Sequence, residues 1–186
     1  MEESDCTPIP YDKGLEIQRM KTLHLLRHAK SSWDHPHLSD RDRGLNKRGI
    51  RDAPRMGEAL AQRMAPMRIA VSPARRAQLT LDGLCAGWPA LGDEPHYTEE
   101  DLYTFSSDDL FQWITAWEDN PGALFIIAHN PALTDLVNTL IGHYSLDNLP
   151  TAGYIELALQ IDHWRNLRQG CAVVQYSLFP KQLPDH

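Results

Sequence analysis

Three short apolar runs, each ending where a loop or helix opens, predict an α/β protein: a three-layer α/β/α sandwich with a mostly parallel central sheet. The runs are Thr22-Leu23-His24-Leu25-Leu26, Arg68-Ile69-Ala70-Val71 and Leu124-Phe125-Ile126-Ile127-Ala128. Each has the length and continuous apolar character of a strand buried on both faces. Segments of helical period separate them. Two stretches of alternating or clustered apolar residues, 151–161 and 171–178, flank a polar turn at 162–170 and predict a closing β-hairpin.

A chain of 186 residues suffices for one domain, at about 150 residues per domain. Residues 1–20, with Pro8, Pro10, Gly14 and little periodicity, read as a loosely ordered extension, and 21–186 as the folded domain. A hydrophobic share of 42% and a charged share of 23% are ordinary for a globular protein. The formal charge of -7 argues against nucleic acid or an anionic membrane as the main partner, while leaving room for a small anion in a local positive pocket. Cys6, Cys85 and Cys171 lack the spacing of a zinc site or a disulfide framework. The acidic start, Met1-Glu2-Glu3-Ser4-Asp5, is the opposite of a secretory n-region, and no apolar run approaches the ~20 residues that span a bilayer. A cytoplasmic protein in a reducing compartment is expected.

The first strand ends at Arg27-His28. Residues 31–45, rich in Asp, His, Pro and Arg, have no period and predict a loop long enough to be functional. Asn46 can cap the next helix, in which Ile50, Ala53, Met56, Leu60 and Met64 recur at helical spacing; Pro54 should kink it or mark its true first turn. After the second strand, Ser72-Pro73 reads as an N-cap and first helical position, with Ala77, Leu81 and Leu84 on the apolar face. Residues 83–95 read as a breaker-rich connection, and 108–117 as a helix stopped by Asn120-Pro121-Gly122. The third strand ends at His129-Asn130-Pro131, where Asn can cap and Pro can open a helix carrying Leu133, Leu136, Val137 and Leu140.

Arg27 and His28, Arg76 and His129 therefore lie at or just beyond three strand ends. In open α/β sheets ligands bind past the carboxyl ends of strands, so these residues are expected to converge. Helix N-termini at the same rim add free N–H groups suited to an anion. Two arginines can grip the oxygens of a phosphoryl group in pairs. A neutral imidazole, with a pKa of about 6.5, can attack phosphorus without a metal. The second histidine, protonated, would stabilise the transferring group. Neither a Walker-type loop nor a His-Glu-x-x-His site is present, so no cofactor or metal is called for.

Four blocks carry a resemblance. They are Leu26-Arg27-His28-Ala29-Lys30-Ser31-Ser32-Trp33-Asp34, Asp42-Arg43-Gly44-Leu45-Asn46-Lys47-Arg48-Gly49, Ser72-Pro73-Ala74-Arg75-Arg76-Ala77-Gln78-Leu79-Thr80 and Ala128-His129-Asn130-Pro131. In this order they resemble the histidine phosphatase superfamily, closest to its SixA-type phosphohistidine phosphatases. The resemblance implies a phosphoglycerate-mutase-like fold in which His28 accepts the phosphoryl group and Arg27, Arg76 and His129 complete the phosphate pocket. It favours Arg76 over Arg75, which is left as a rim contact. Ala29 replaces the superfamily's glycine, a change tolerated if the backbone there needs no positive φ.

Larger relatives carry a glutamate general acid in a Leu-x-Glu segment, whereas the similar Leu102-Tyr103-Thr104 offers no carboxylate. Glu99, Glu100 and Asp101, just upstream, are the candidate acids. A weak acid suits a phosphohistidine, whose leaving imidazole has a pKa of about 6.5, better than a basic alkoxide. The expected substrate is thus a phosphohistidine-bearing protein. The alternatives are a small sugar or nucleotide phosphate ester, or a catalytically silent phosphate-binding module. His24 reads as a core residue, Trp33 as a pocket wall, Arg43 and Arg48 as aids to substrate recognition. Asp34, His35, His37 and Asp40 read as a polar loop rather than a metal cluster.

Overall fold

The computed structural model describes residues 20–34, 36–118, 120 and 122–184; the extension 1–19, His35 and Pro121 lie outside them. Six strands form one sheet: β1 (Lys21–Arg27), β2 (Ile69–Val71), β3 (Tyr97–Thr98), β4 (Ala123–Ala128), β5 (Tyr154–Leu159) and β6 (Ala172–Leu178). Their order is β3-β2-β4-β1-β5-β6. The first four run parallel, and β5 and β6 form the antiparallel hairpin that closes the sheet. The expected mostly parallel sandwich is the fold observed. The two-residue edge strand β3 was not anticipated, because it is too short to carry a period.

Side chains alternate across the central strands as the pleat requires. Leu23, Leu25, Leu124 and Ile126 join one core, Leu26, Phe125, Ile127, Ile69 and Val71 the other. Helices α1 (Lys47–Ala61) and α2 (Arg75–Gly87) cover the second core, and α3 (Ser107–Thr115) and α4 (Ala132–Ile141) the first. Among the described residues, no helix is long and apolar enough to cross a membrane.

Asn46 caps α1 as expected, its Oδ1 accepting Gly49 N at 3.0 Å, and of the two readings of Pro54 the one inside the helix is observed. Three boundaries differ from the sequence reading. Helix α2 begins at Arg75, with Ala74 at the N-cap position and no side-chain cap, so Ser72 and Pro73 precede it. It also runs through Gly83 to Gly87, where a connection was expected, and a short 3-10 turn, Pro89–Asp93, follows. The α1–α2 crossing is tight: a Cβ on Gly57 would lie 2.3 Å from the carbonyl oxygen of Leu84. At α4 the first turn opens after Pro131, and Asn130 does not cap it.

Candidate active site

The parallel register places Arg27 beside Ala128, and Val71 beside Ile127. Two hydrogen bonds just past the strands continue the ladder: His28 N donates to Ala128 O at 3.2 Å and Ser72 N to Ile127 O at 3.0 Å. His28, Ser72 and His129 thus leave three adjacent strand ends together. Helix α1 is pressed against the first of them. Asn46 N donates to Lys30 O at 2.9 Å, and a Cβ at Gly49 would lie 2.4 Å from that same oxygen. Asn46 and Gly49 therefore let the loop return beside the His28 segment. Ala29 N donates to Thr80 Oγ1 at 2.9 Å, and that hydroxyl donates to Arg76 O at 2.6 Å, which ties the His28 turn to α2. Ala152 is the sole positive-φ non-glycine among the described residues, so Ala29 fits without strain.

His28 is 7% exposed, Arg76 3% and His129 0%. Their partners define the tautomers. His28 Nδ1 lies 2.8 Å from Ala29 O, and a carbonyl only accepts, so Nδ1 carries the hydrogen and Nε2 bears the free lone pair. Arg76 Nε donates to that Nε2 at 3.3 Å. The same guanidinium, through Nη2, donates to His129 Nδ1 at 3.3 Å, leaving His129 Nε2–H for Ser72 Oγ at 2.7 Å. The ring centroids of the two histidines are 5.0 Å apart. Two imidazole lone pairs therefore face one buried guanidinium.

Burial first, then the repulsion that a second imidazolium at His129 would meet, and the charges of Arg76 and Arg27 hold His28 well below the usual histidine pKa, outweighing the Ala29 hydrogen bond. Burial, then Arg76, lowers His129 to about 3. In the free site His129 is thus held neutral, because a cation beside Arg76 would be buried next to like charge; the protonated second histidine expected from the sequence belongs to the site with a phosphoryl group in it.

Arg27 takes a different direction from Arg76. Its Nη1 donates to Leu149 O at 2.8 Å and to Asn148 Oδ1 at 3.3 Å, while its Nε is buried without an acceptor among the described residues. Burial, Arg48 and Arg76 lower its pKa, so the pocket concentrates positive charge. Asn130 Nδ2 donates to the same Asn148 Oδ1 at 2.9 Å and to Leu149 O at 3.0 Å, holding the loop before β5 rather than capping α4.

The carboxylate that reaches this pocket is Asp40, from the long loop. Its Oδ2 accepts Arg76 Nη2 and Tyr103 Oη, each at 2.8 Å; its backbone oxygen accepts Arg76 Nη1 at 2.5 Å, and its Oδ1 accepts Arg43 Nη2. Partial burial alone would raise its pKa, but hydrogen bonds from Tyr103 and Arg76 hold it at about 2. Glu100 instead pairs with Arg41 at 2.8 Å on the exposed rim, and Asp101 is exposed. Tyr103 and Phe105 pack their rings 5.5 and 5.6 Å from that of His129. Sequence reasoning missed Ser72, Asp40, Tyr103 and Phe105: Ser72 resembled a helix cap, and the others gave no local signal.

Several surrounding residues fall where they were expected. Arg75 is exposed and Arg76 buried, which separates the neighbours. His24 is a core residue, its Nδ1 2.7 Å from Tyr154 Oη. Asp34 accepts from Ser32 Oγ at 2.8 Å. Trp33 is an exception: expected as a pocket wall, it is 72% exposed and carries the Arg43 guanidinium 3.6 Å from its ring centre. Among the described residues, no group of three or more His, Cys, Asp or Glu is placed to hold a metal ion.

Comparison with known proteins agrees with this fold. The family model described as the histidine phosphatase superfamily (branch 1) matches residues 23–106. An uncharacterized Mycobacterium tuberculosis protein is 29% identical over 159 residues, 80% of this chain and 96% of that protein. An uncharacterized Mycobacterium leprae protein is 31% identical over 121 residues, 63% of this chain and 71% of that protein. Among solved structures, the protein histidine phosphatase SixA complexed with tungstate is similar with a TM-score of 0.69 and 21% identity, over 87% of this chain and 98% of that one.

Proposed function

Because this chain belongs to the histidine phosphatase superfamily, branch 1, we propose that it is a metal-independent phosphohydrolase acting on phosphohistidine in a partner protein, with His28 as nucleophile. The observation that carries the reading is the tautomer of His28. Ala29 O holds Nδ1–H, which turns the Nε2 lone pair onto Arg76. Arg76 and Arg27, whose Nε is free for an acceptor, would take the phosphoryl oxygens. A tetrahedral oxyanion, tungstate, accompanies the SixA structure of similar fold.

In the first step His28 Nε2 attacks phosphorus, forming a P–N bond as the bond to the substrate imidazole breaks. The leaving nitrogen takes up a proton from solvent water, and the water consumed in the second step returns one. Water then attacks phospho-His28, releasing inorganic phosphate and restoring the neutral imidazole. His129, neutral in the free site, becomes able to hold a proton once a dianion offsets Arg76.

The acid supply favours an imidazole leaving group. Asp40, the carboxylate at Arg76, is ionised at neutral pH, and Tyr103 is pushed above the ordinary phenol range by burial and Asp40. Neither is matched to protonating an alkoxide with a pKa far above 7. Glu100 and Asp101 would have to leave the exposed rim to serve, whereas Glu99 is half-buried where its N–H donates to Val71 O at 3.0 Å, at the end of β2.

Incubation with a histidine-phosphorylated peptide tests the proposal. Phosphate release should survive a chelator, and an acid-labile, alkali-stable phosphoryl group should be trapped on His28 and vanish in His28→Ala. Loss of activity with chelator, or label on another residue, overturns it.

A further inference from the structure

A second cavity, of about 450 Å³, borders the candidate active site. Arg48, Arg51 and Arg55 line it from α1, Asn148 and Thr151 from the loop before β5, and Lys181 from the final 3-10 turn. Among the described residues its carboxylate is Asp52, which is buried and engages all three arginines: Arg51 Nη2 at 2.8 Å, Arg55 Nη1 at 3.6 Å and Arg48 Nε at 3.9 Å. Leaving Arg55 aside, Arg48, Arg51 and Lys181 outnumber Asp52, so the described lining is positive on a chain whose formal charge is -7. Such a local reversal of sign draws anionic ligands to one place.

The cavity adjoins Arg27. Asn148 lines it and also accepts Arg27 Nη1 at 3.3 Å. Arg48, whose Nη2 donates to Thr151 Oγ1 at 3.0 Å, is close enough to act on the charge of Arg27. One residue beyond Thr151, Ala152 N donates to the backbone oxygens of both Arg27 and His28, at 3.0 and 3.2 Å. A ligand seated here would be attached to whatever presents its phosphoryl group to His28. Pro150, Phe179, Pro180 and Leu183 supply apolar wall between the cations. That mixture suits aliphatic stems bearing carboxylates better than a bare inorganic anion.

We propose that this cavity is a docking subsite for an acidic peptide segment of the phosphorylated partner, in which Asp or Glu side chains flanking the phosphohistidine meet Arg51 and Lys181. The proposal rests on the phosphatase reading and gives it a substrate preference.

The test compares two histidine-phosphorylated peptides that differ only in flanking Glu or Gln residues, alongside phosphoramidate, which has no flank. The wild type should show a KM about tenfold lower for the Glu peptide at low salt, with the difference shrinking as salt rises. In Arg51→Ala/Lys181→Ala the difference should disappear while phosphoramidate turnover stays at the wild-type value; Arg51 donates two hydrogen bonds to the buried Asp52 Oδ1, so this variant should melt lower, and Lys181→Ala by itself should weaken the preference with thermal unfolding unchanged. Equal KM values for the two peptides in the wild type, or a preference surviving in the variant, overturns the subsite. If no phosphohistidine is turned over, the phosphatase reading fails by itself. Fluorescence anisotropy of the labelled Glu peptide then decides: binding lost in the variant sustains the subsite, and no binding to the wild type overturns it.

Discussion

Acidification from pH 7 to pH 5 falls on three imidazoles that the folded chain keeps neutral. His24, His28 and His129 are 6%, 7% and 0% exposed. Burial is the largest cause of depression in each, placing His24 at about 4 and His129 at about 3, with His28 lowered in the same direction. In the unfolded chain each returns to a pKa of about 6.5. Below 6.5 the unfolded state therefore binds more protons than the folded one, and stability falls as pH falls, until the folded pKa values are reached near 4 and 3. Between pH 7 and 5 a histidine whose folded pKa is 4 or lower loses about 2 kcal/mol. His24 and His129 together thus remove about 4 kcal/mol, and His28 adds to the loss, against a typical total of about 5–15 kcal/mol. Urea unfolding followed by tryptophan fluorescence should show the midpoint dropping by about 2 M at unchanged slope. His24→Phe should shrink the pH effect by about 2 kcal/mol. A change below about 1 kcal/mol between the two pH values would refute the account, since it would mean that the folded site already accepts protons.

The depressed pKa of His28 would keep the proposed nucleophile neutral in acid: phosphoenzyme formation from phosphoramidate at pH 5.5 should show no tenfold fall, whereas an ordinary imidazole would be only about 10% neutral there. Replacing Asp40 with Asn frees Arg76 from a carboxylate that is 43% exposed, a pair worth about 1 kcal/mol. Calorimetry should then show inorganic phosphate binding about fivefold tighter, and weaker binding would show that Asp40 helps hold the anion. Ser72→Ala strips the acceptor from His129 Nε2–H in a fully buried position. We expect a stability loss of about 1–3 kcal/mol and a kcat about tenfold lower, checked by melts and steady-state kinetics. Gly57→Ala would gain about 1 kcal/mol in an isolated helix, but its Cβ meets the Leu84 carbonyl, so a net loss of about 2 kcal/mol in denaturant titrations is expected.

Much of this protein is legible without its structure. The strands carry their own signal, because burial on both faces demands a continuous apolar run, and residues 22–26, 68–71 and 124–128 supply one each. The Arg-His, Ser-Pro and His-Asn-Pro junctions follow those runs directly, so strand ends and candidate site residues could be named together. Helix α1 was readable because Asn46 and the apolar repeat agree.

The tertiary structure alone decided how these residues act on one another. Ser72 meets His129 across 57 positions, Asp40 meets Arg76 across 36 and Tyr103 across 63. Such pairs arise from strand register and loop placement, which no local spacing encodes. Glycines that read as breakers proved compatible with α2 for the same reason: they adjoin another helix. The neutral state of His129 likewise depends on burial and on Arg76, an environment assembled from distant segments. Periodicity records what each segment does by itself; ionisation, tautomer and hydrogen-bond partner belong to the packed whole, because each is set by the dielectric and the charges that folding brings near.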